Sequence, residues 1–172
     1  MQSQLVFTVI AEDRPGLVDR LADAISQAGG NWVESSMARL GGEFAGIVSV
    51  DIAPQNIQSL HDNFDPLLAD GIAITLRSDL KQPEPKTGTK AQLDLLSQDH
   101  PGLLRQITQV LAAHNVSIEH LETSVGPGSM QGEAMFKATA DLRLPDGLSP
   151  AQLSEALQET AGDLMADVSL TG

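Results

Sequence analysis

The phrase Asp13-Arg14-Pro15-Gly16-Leu17 recurs as Asp99-His100-Pro101-Gly102-Leu103, and the recurrence extends well beyond the phrase. A shift of 86 residues also lays the apolar run Val6 to Ile10 over Gln92 to Leu96, and the stripe Leu17, Leu21, Ile25 over Leu103, Ile107, Leu111, without a gap. A chain of 172 residues with this property is two copies of one small unit. Each copy is close to the lower size limit for burying an adequate core alone. The halves are therefore expected to pack on each other or on a second chain.

Within the first copy, Leu5 to Ala11 is apolar and β-branched and reads as a central strand buried on both faces. Asp13 to Gly16 stops it, with Asp13 as a candidate helix cap and Pro15 in the first turn. Leu17, Leu21, Ile25 and Ala28 then recur at helical spacing up to Gly29-Gly30. Trp32 to Arg39 and Glu43 to Ile52 read as strands joined by the hairpin signal Gly41-Gly42. Ile57, Leu60, Phe64, Leu67 and Leu68 mark a second helix, expected to be interrupted near Pro66, and Ile72 to Arg77 a last strand.

The second copy repeats the order: strand Gln92 to Ser97, helix Leu103 to Ala113, strands Ile118 to Val125 and Ala134 to Leu144, helix Pro150 to Leu164, strand Asp167 to Leu170. The order β-α-β-β-α-β is the ferredoxin-like split βαβ unit. The expected fold is α+β, with two tandem domains whose antiparallel sheets carry helices on one face. The boundaries are 1–78, a linker 79–90, and 91–172. The linker carries Pro83, Pro85, Gly88, Lys81, Lys86 and Lys90, which suits a polar, semi-extended segment that can let two sheets lie side by side. The second hairpin loop, Gly126 to Gly132, is five residues longer than the first, and is read as a mobile loop.

Charge excludes one class of partner. The formal net charge is -13, divided as -7 over 1–76, +2 over 77–90 and -8 over 91–172. Acidic surfaces repel phosphate backbones and no helix has a Lys/Arg face, so direct nucleic-acid binding is not expected. With no cysteine, disulfides, thiol nucleophiles and thiolate metal sites are absent. The start of the chain lacks a positively charged lead and an unbroken apolar core, and no stretch approaches membrane-spanning length. The reading is a cytoplasmic protein without a membrane partner.

The repeated loop is the candidate site. A Pro-Gly step between a central strand and a helix leaves the first helical N–H groups free, and glycine leaves them open to a carboxylate. Asp13 and Asn31 would then hold an amino group, so an α-amino acid carries both complementary charges. The candidate ligand residues are Asp13, Arg14, Gly16, Leu17 and Asn31, with Asp99, His100, Gly102, Leu103 and Ser117 in the second copy. There His100 replaces Arg14, and Asn115 stands at the position of Gly29. A purely structural reading competes: Asp13 and Asp99 as N-caps, Pro15 and Pro101 as first-turn residues, Gly16 and Gly102 as relief for close packing.

The Asp-Arg-Pro-Gly-Leu phrase, a helix of roughly fourteen residues after it, the closing Gly29-Gly30-Asn31 and the element order resemble the ACT domain, a small regulatory module that senses amino acids. Both halves resemble it. The tandem pair, with Glu34-Ser35-Ser36 and Leu40-Gly41-Gly42-Glu43-Phe44, is similar within that family to repressors of the glycine cleavage genes. The resemblance implies a regulator that does not bind DNA itself but acts through a DNA-binding activator protein in response to a small amino acid, glycine or serine. A ligand at the interface of two such units that prefers one arrangement by about 1–3 kcal/mol changes partner affinity about 5- to 150-fold. Glycine offers few contacts, so weak binding is expected. Chains can also pair as homodimers through exposed sheet edges or helices.

Other signals point nowhere stronger. His61, His100, His114 and His120 form no i, i+4 pair, so no metal site is expected. Gly126 to Gly132 lies between strands and matches no phosphate or dinucleotide motif, and no cofactor is implied. Arg39 reads as a surface charge. The same fold supports acyl-phosphate hydrolysis with an arginine in the first loop and an asparagine beyond the helix, which Arg14 and Asn31 loosely imitate. Here Asp13 adjoins the arginine and Pro15 removes a donor, so catalysis is not expected. A ligand-independent interaction module controlling a metabolic enzyme is the remaining alternative.

Overall fold

The computed structural model describes residues 2–77, 84–128 and 132–172. The expected linker residues 79–83 and the loop residues 129–131 lie outside this set. The chain divides into two compact units, Met1–Glu84 and Pro85–Gly172, at a point inside the segment read as linker. The last two linker residues, Thr89 and Lys90, already belong to a strand.

The first unit runs β1 (Ser3–Glu12), α1 (Leu17–Gln27), β2 (Asn31–Leu40), β3 (Glu43–Ile52), α2 (Ile57–Ala69) and β4 (Ala73–Arg77). The second runs β5 (Thr89–Gln98), α3 (Leu103–Ala113), β6 (Ser117–Pro127), β7 (Ala134–Leu144), α4 (Pro150–Leu164) and β8 (Asp167–Thr171). Each sheet is fully antiparallel, in the orders β2-β3-β1-β4 and β6-β7-β5-β8. The two units are therefore both split βαβ folds of the ferredoxin-like type.

Period-two burial on β1 places Leu5, Phe7, Val9 and Ala11 in the core, where Leu17, Leu21 and Ile25 of α1 and Leu60, Phe64 and Leu67 of α2 meet them. The Phe7 and Phe64 rings pack edge to face with centroids 5.2 Å apart. In the second unit Leu93 and Leu95 meet Leu103, Ile107 and Leu111 of α3 and Leu153 and Leu157 of α4. Gly41 and Gly42 both have positive φ, 60° and 82°, as a two-residue hairpin matching the strand twist requires.

Several local expectations need correction. β1 is central but buried on one face only: Ile10, on the other face, is 50% exposed. Right-handed crossovers from β1 to β2 and from β3 to β4 put both helices on the same side, leaving the opposite face bare. The unbroken apolar run misled because Val6 and Ile10 occupy that bare face. Helix α2 continues through Pro66 in its last turn, where the proline removes the N–H that would bond the Asp62 carbonyl and the loss stays confined to one bond because the helix ends three residues later. Helix α1 has 11 residues instead of roughly fourteen, since it starts only after Gly16.

The two helix ends show how the copies substitute for one another. Gly29 has φ 76° and Asn115, at the same position, has φ 54°. The following amides close identically, Gly30 N–H on the Ile25 carbonyl and Val116 N–H on the Leu111 carbonyl, each at 2.9 Å. Asparagine is the non-glycine residue that best tolerates this conformation. The change therefore preserves the helix stop.

Candidate functional site

In both copies the repeated loop is anchored to the hairpin on its far side. The Asp13 N–H donates to the Gly42 carbonyl at 2.9 Å, and the Asp99 N–H to the Ala134 carbonyl at 2.8 Å. The helix then starts at a glycine in the left-handed region, Gly16 with φ 89° and Gly102 with φ 85°. Neither helix has a side-chain cap. The cap reading of Asp13 and Asp99 is thus overturned, and Pro15 and Pro101 precede the cap instead of entering the first turn. The packing explanation for the glycines also fails, because a Cβ at Gly16 or Gly102 would meet nothing within 4 Å. Glycine is required there by φ, not by crowding.

Arg14 and Arg20 tie this loop to the end of α2. Arg14 Nη2 donates to the Asp70 carbonyl at 3.1 Å, and Arg20 Nη2 pairs with Asp70 Oδ2 at 2.7 Å. Asp13 forms an ion pair with Arg39, Oδ2 to Nε at 2.8 Å, so Arg39 is a charge partner of the loop, not an isolated surface charge. Between these fixed points lies a shallow depression of about 280 Å³ bordered by Asp13, Arg14, Gly16, Leu17, Val18, Asp19 and Phe44. Its walls are apolar, two carboxylates stand at its rim, and the first amides of α1 have no partner within the helix.

Asn31 is not part of this constellation. It pairs with Asp51, which pairs with Gln4 near the start of β1, whereas Asp13 follows the end of β1. Eight residues of strand from Gln4 to Glu12 correspond to about 26 Å, so Asn31 lies at the opposite end of its own sheet. The second copy behaves alike: Ser117 pairs with Arg143, itself opposite Lys90, far from Asp99, His100, Gly102 and Leu103. Arg14 and Asn31 are equally separated, so they cannot grip one phosphate within a unit. Val18, Asp19, Phe44 and Arg39 were missed as neighbours of the loop. The Gly41-Gly42 turn does imply that Arg39 faces Phe44, but their approach to Asp13 depends on β1 pairing with β3.

The ACT domain family matches residues 3–70 and again residues 91–160. The chain belongs to the ACT domain family. It is 25% identical over 171 residues to the glycine cleavage system transcriptional repressors of Escherichia coli (strain K12) and Shigella flexneri, covering 98% of this chain and 90% of each relative. A crystal structure of an unknown protein from Galdieria sulphuraria superposes with a TM-score of 0.83 at 28% identity, over 99% of this chain and 98% of that one. Another, of a protein assigned as a glycine cleavage system transcriptional repressor, gives 0.73 at 23% identity, over 99% and 97%. The chain is thus a tandem ACT protein similar along its whole length to a transcriptional repressor.

The two ACT loops differ in their charges. Val125 stands in the second unit where Arg39 stands in the first, opposite Phe136 as Arg39 is opposite Phe44. Asp99 consequently has no ion-pair partner among the described residues. His100 Nδ1 lies 3.2 Å from the Pro101 carbonyl, so the ring turns back on its own loop. Among the described residues no group of His, Asp and Glu is placed to hold a metal, and no helix is long and apolar enough to cross a membrane.

A charged cluster at the other end of the second ACT unit escaped the sequence. The β6 irregularity between Ile118 and His120 releases Glu119 from the ladder. Its Oε1 accepts from Lys86 Nζ at 3.0 Å and from Arg143 Nε at 3.2 Å. The Lys86 hydrogen bond, followed by that of Arg143, holds the Glu119 carboxyl below its ordinary value of 4.5. A depressed carboxyl adds stability above its unfolded value and loses it as pH falls through the folded one. Glu119→Gln is accordingly expected to lower the melting temperature at neutral pH, with the difference from wild type shrinking as pH falls below 4.5 and vanishing once it has passed through the lowered folded value, as paired thermal melts would reveal.

Proposed function

We propose that this tandem ACT protein is a non-catalytic, amino-acid-responsive regulator that controls gene expression through a DNA-binding partner protein. The observation that carries the reading is the depression at the first ACT loop. The free amides of Leu17 and Val18 suit an α-carboxylate, and the Asp13 and Asp19 carboxylates suit an ammonium, while Phe44 and Val18 offer apolar walls to the rest of the ligand. Glycine and serine fit that chemistry. The full-length likeness to glycine cleavage repressors supports glycine catabolism as the regulated process. The net charge of -13 supports a protein partner, not DNA, as the direct contact.

Arg39 already neutralises Asp13, so the ligand ammonium must share that carboxylate or use Asp19. Isothermal titration with glycine and serine tests the reading. Saturable binding that weakens about tenfold in Asp13→Asn, with the melting temperature of the free protein retained, is the expected result. Binding that is lost in Asn31→Ala and unaffected by Asp13→Asn would assign the ligand to the opposite end of the sheet. No heat or thermal shift with any common amino acid would leave a ligand-independent interaction module.

A further inference from the structure

The chain enters the second ACT unit at a place where the two units differ. The segment read as linker, 79–90, ends in Thr89 and Lys90 of β5, and the residues just before that strand are held as well. Lys86 Nζ donates to Glu119 Oε1 at 3.0 Å. Gly88, with φ 101°, lies so close to the end of β7 that a Cβ there would overlap the Leu144 carbonyl oxygen. Its own carbonyl accepts from Arg143 Nη1 at 3.4 Å. Arg143 also grips Glu119, Nε to Oε1 at 3.2 Å and Nη2 to Oε2 at 3.4 Å, in the two-pronged arrangement that makes arginine–carboxylate pairs strong. Glu119 and Arg143 together hold the incoming chain at Lys86 and at Gly88.

The first unit shows that the shared fold does not require this clasp. Its β2 has the same irregularity, between Trp32 and Glu34, so Val33 stands where Glu119 stands in β6. Asp51, opposite Gln4 and Asn31, stands where Arg143 lies opposite Lys90 and Ser117. An exposed valine and a carboxylate thus occupy the places of the carboxylate and the guanidinium. Both members of the pair differ together, and the pair exists in the copy that receives the linker.

We propose that Glu119 is the catch of an ionic latch that binds Lys86, Thr87 and Gly88 to the second ACT unit. With the latch closed, the tether between the units is limited to 79–85. When Glu119 lets go, residues 86–88 join the tether and its maximum span grows by about 10 Å. Tether length sets the effective concentration that one tethered unit experiences of the other, so the latch adjusts that concentration without altering either fold. The catch is reachable from solvent. Glu119 also lines an open cavity of about 470 Å³ with Lys90, Gln92, Asp141 and Thr171, and the Lys86 side chain is 62% exposed, so dissolved ions screen this arm of the latch. The inference uses no residue of the loop depression and stands whether or not an amino acid binds there.

Limited trypsin digestion of the full chain reads the latch, because cutting at Lys86–Thr87 requires that segment to leave the unit. The rate of this cut, followed by mass spectrometry, is expected to rise about tenfold in Glu119→Gln and in Gly88→Ala, with the circular dichroism of each variant unchanged. Asp141→Asn, which removes another carboxylate of the same cavity, and Val168→Ala, which truncates a buried core residue, should leave the rate at the wild-type value. Raising salt from about 0.05 M to about 0.5 M should speed the cut in wild type and not in Glu119→Gln, with the trypsin calibrated on a peptide substrate in each buffer. A cut equally fast in wild type and Glu119→Gln overturns the inference. So does an equal acceleration by Val168→Ala, which would make the effect one of general stability, and a wild-type rate indifferent to salt overturns the ionic catch.

Discussion

Phe7→Ala is expected to remove most of the stability of the first ACT unit. Phe7 is fully buried on the central strand, beneath both helices, and its ring meets Phe64 edge to face. Deleting a buried phenyl group costs about 3–5 kcal/mol through lost transfer energy and the cavity left behind. The lost aromatic pair accounts for roughly 0.5–1.5 kcal/mol beyond area alone. A unit of this size has little in reserve against such a change. The chain supplies its own reporter, since its single tryptophan, Trp32, packs against this core. Urea melts followed by tryptophan emission should show a large drop in midpoint. An unchanged midpoint would mean that the Phe7–Phe64 pair is not the centre of the core.

Gly16→Val is the second large effect, and its comparison with Gly16→Asn separates conformation from space. Nothing lies within 4 Å of a Cβ at this position, so either side chain fits physically. The backbone is at φ 89°, where a β-branched residue is a genuine outlier and asparagine is tolerated. Gly16→Val should therefore cost about 2–3 kcal/mol and disturb the start of α1, while Gly16→Asn should cost under about 1 kcal/mol. Asn115 shows the same tolerance within this chain. If the loop depression takes an amino acid, Gly16→Asn also narrows it and weakens binding in a protein that melts almost normally. Equal destabilisation by both variants would return the glycine to a packing role.

The parts of the fold legible in the chain were those whose causes lie within a short window. The helical stripe Leu17, Leu21, Ile25, the apolar, β-branched run Leu5 to Ala11 and the Gly41-Gly42 turn each act over a few residues, and all became the expected elements. Tandem duplication then supplied the same element order twice. The acidic balance also bears on partners without any coordinates, because net charge does not depend on the path of the chain.

The candidate site was legible only in part. Asp13, Gly16 and Leu17 are neighbours along the chain and remain neighbours in the fold. Asn31 follows closely in sequence, yet α1 carries the chain back along the sheet, so β2 starts at the same end as β1, one strand away, and Asn31 ends far from the loop. Phe44 and Arg39 reach the loop from the opposite direction, through the pairing of β3 with β1. These are contacts between strands distant in sequence, and no periodicity encodes them.

Sequence alone determined that this chain is a duplicated βαββαβ protein with two copies of one loop, since propensity, periodicity and repetition act locally. Tertiary structure decided which residues share that loop and which face of each sheet stays bare. Strand order and crossover handedness set both, and they bring Arg39 to Asp13, take Asn31 away, and leave Ile10 and Ile47 facing outward.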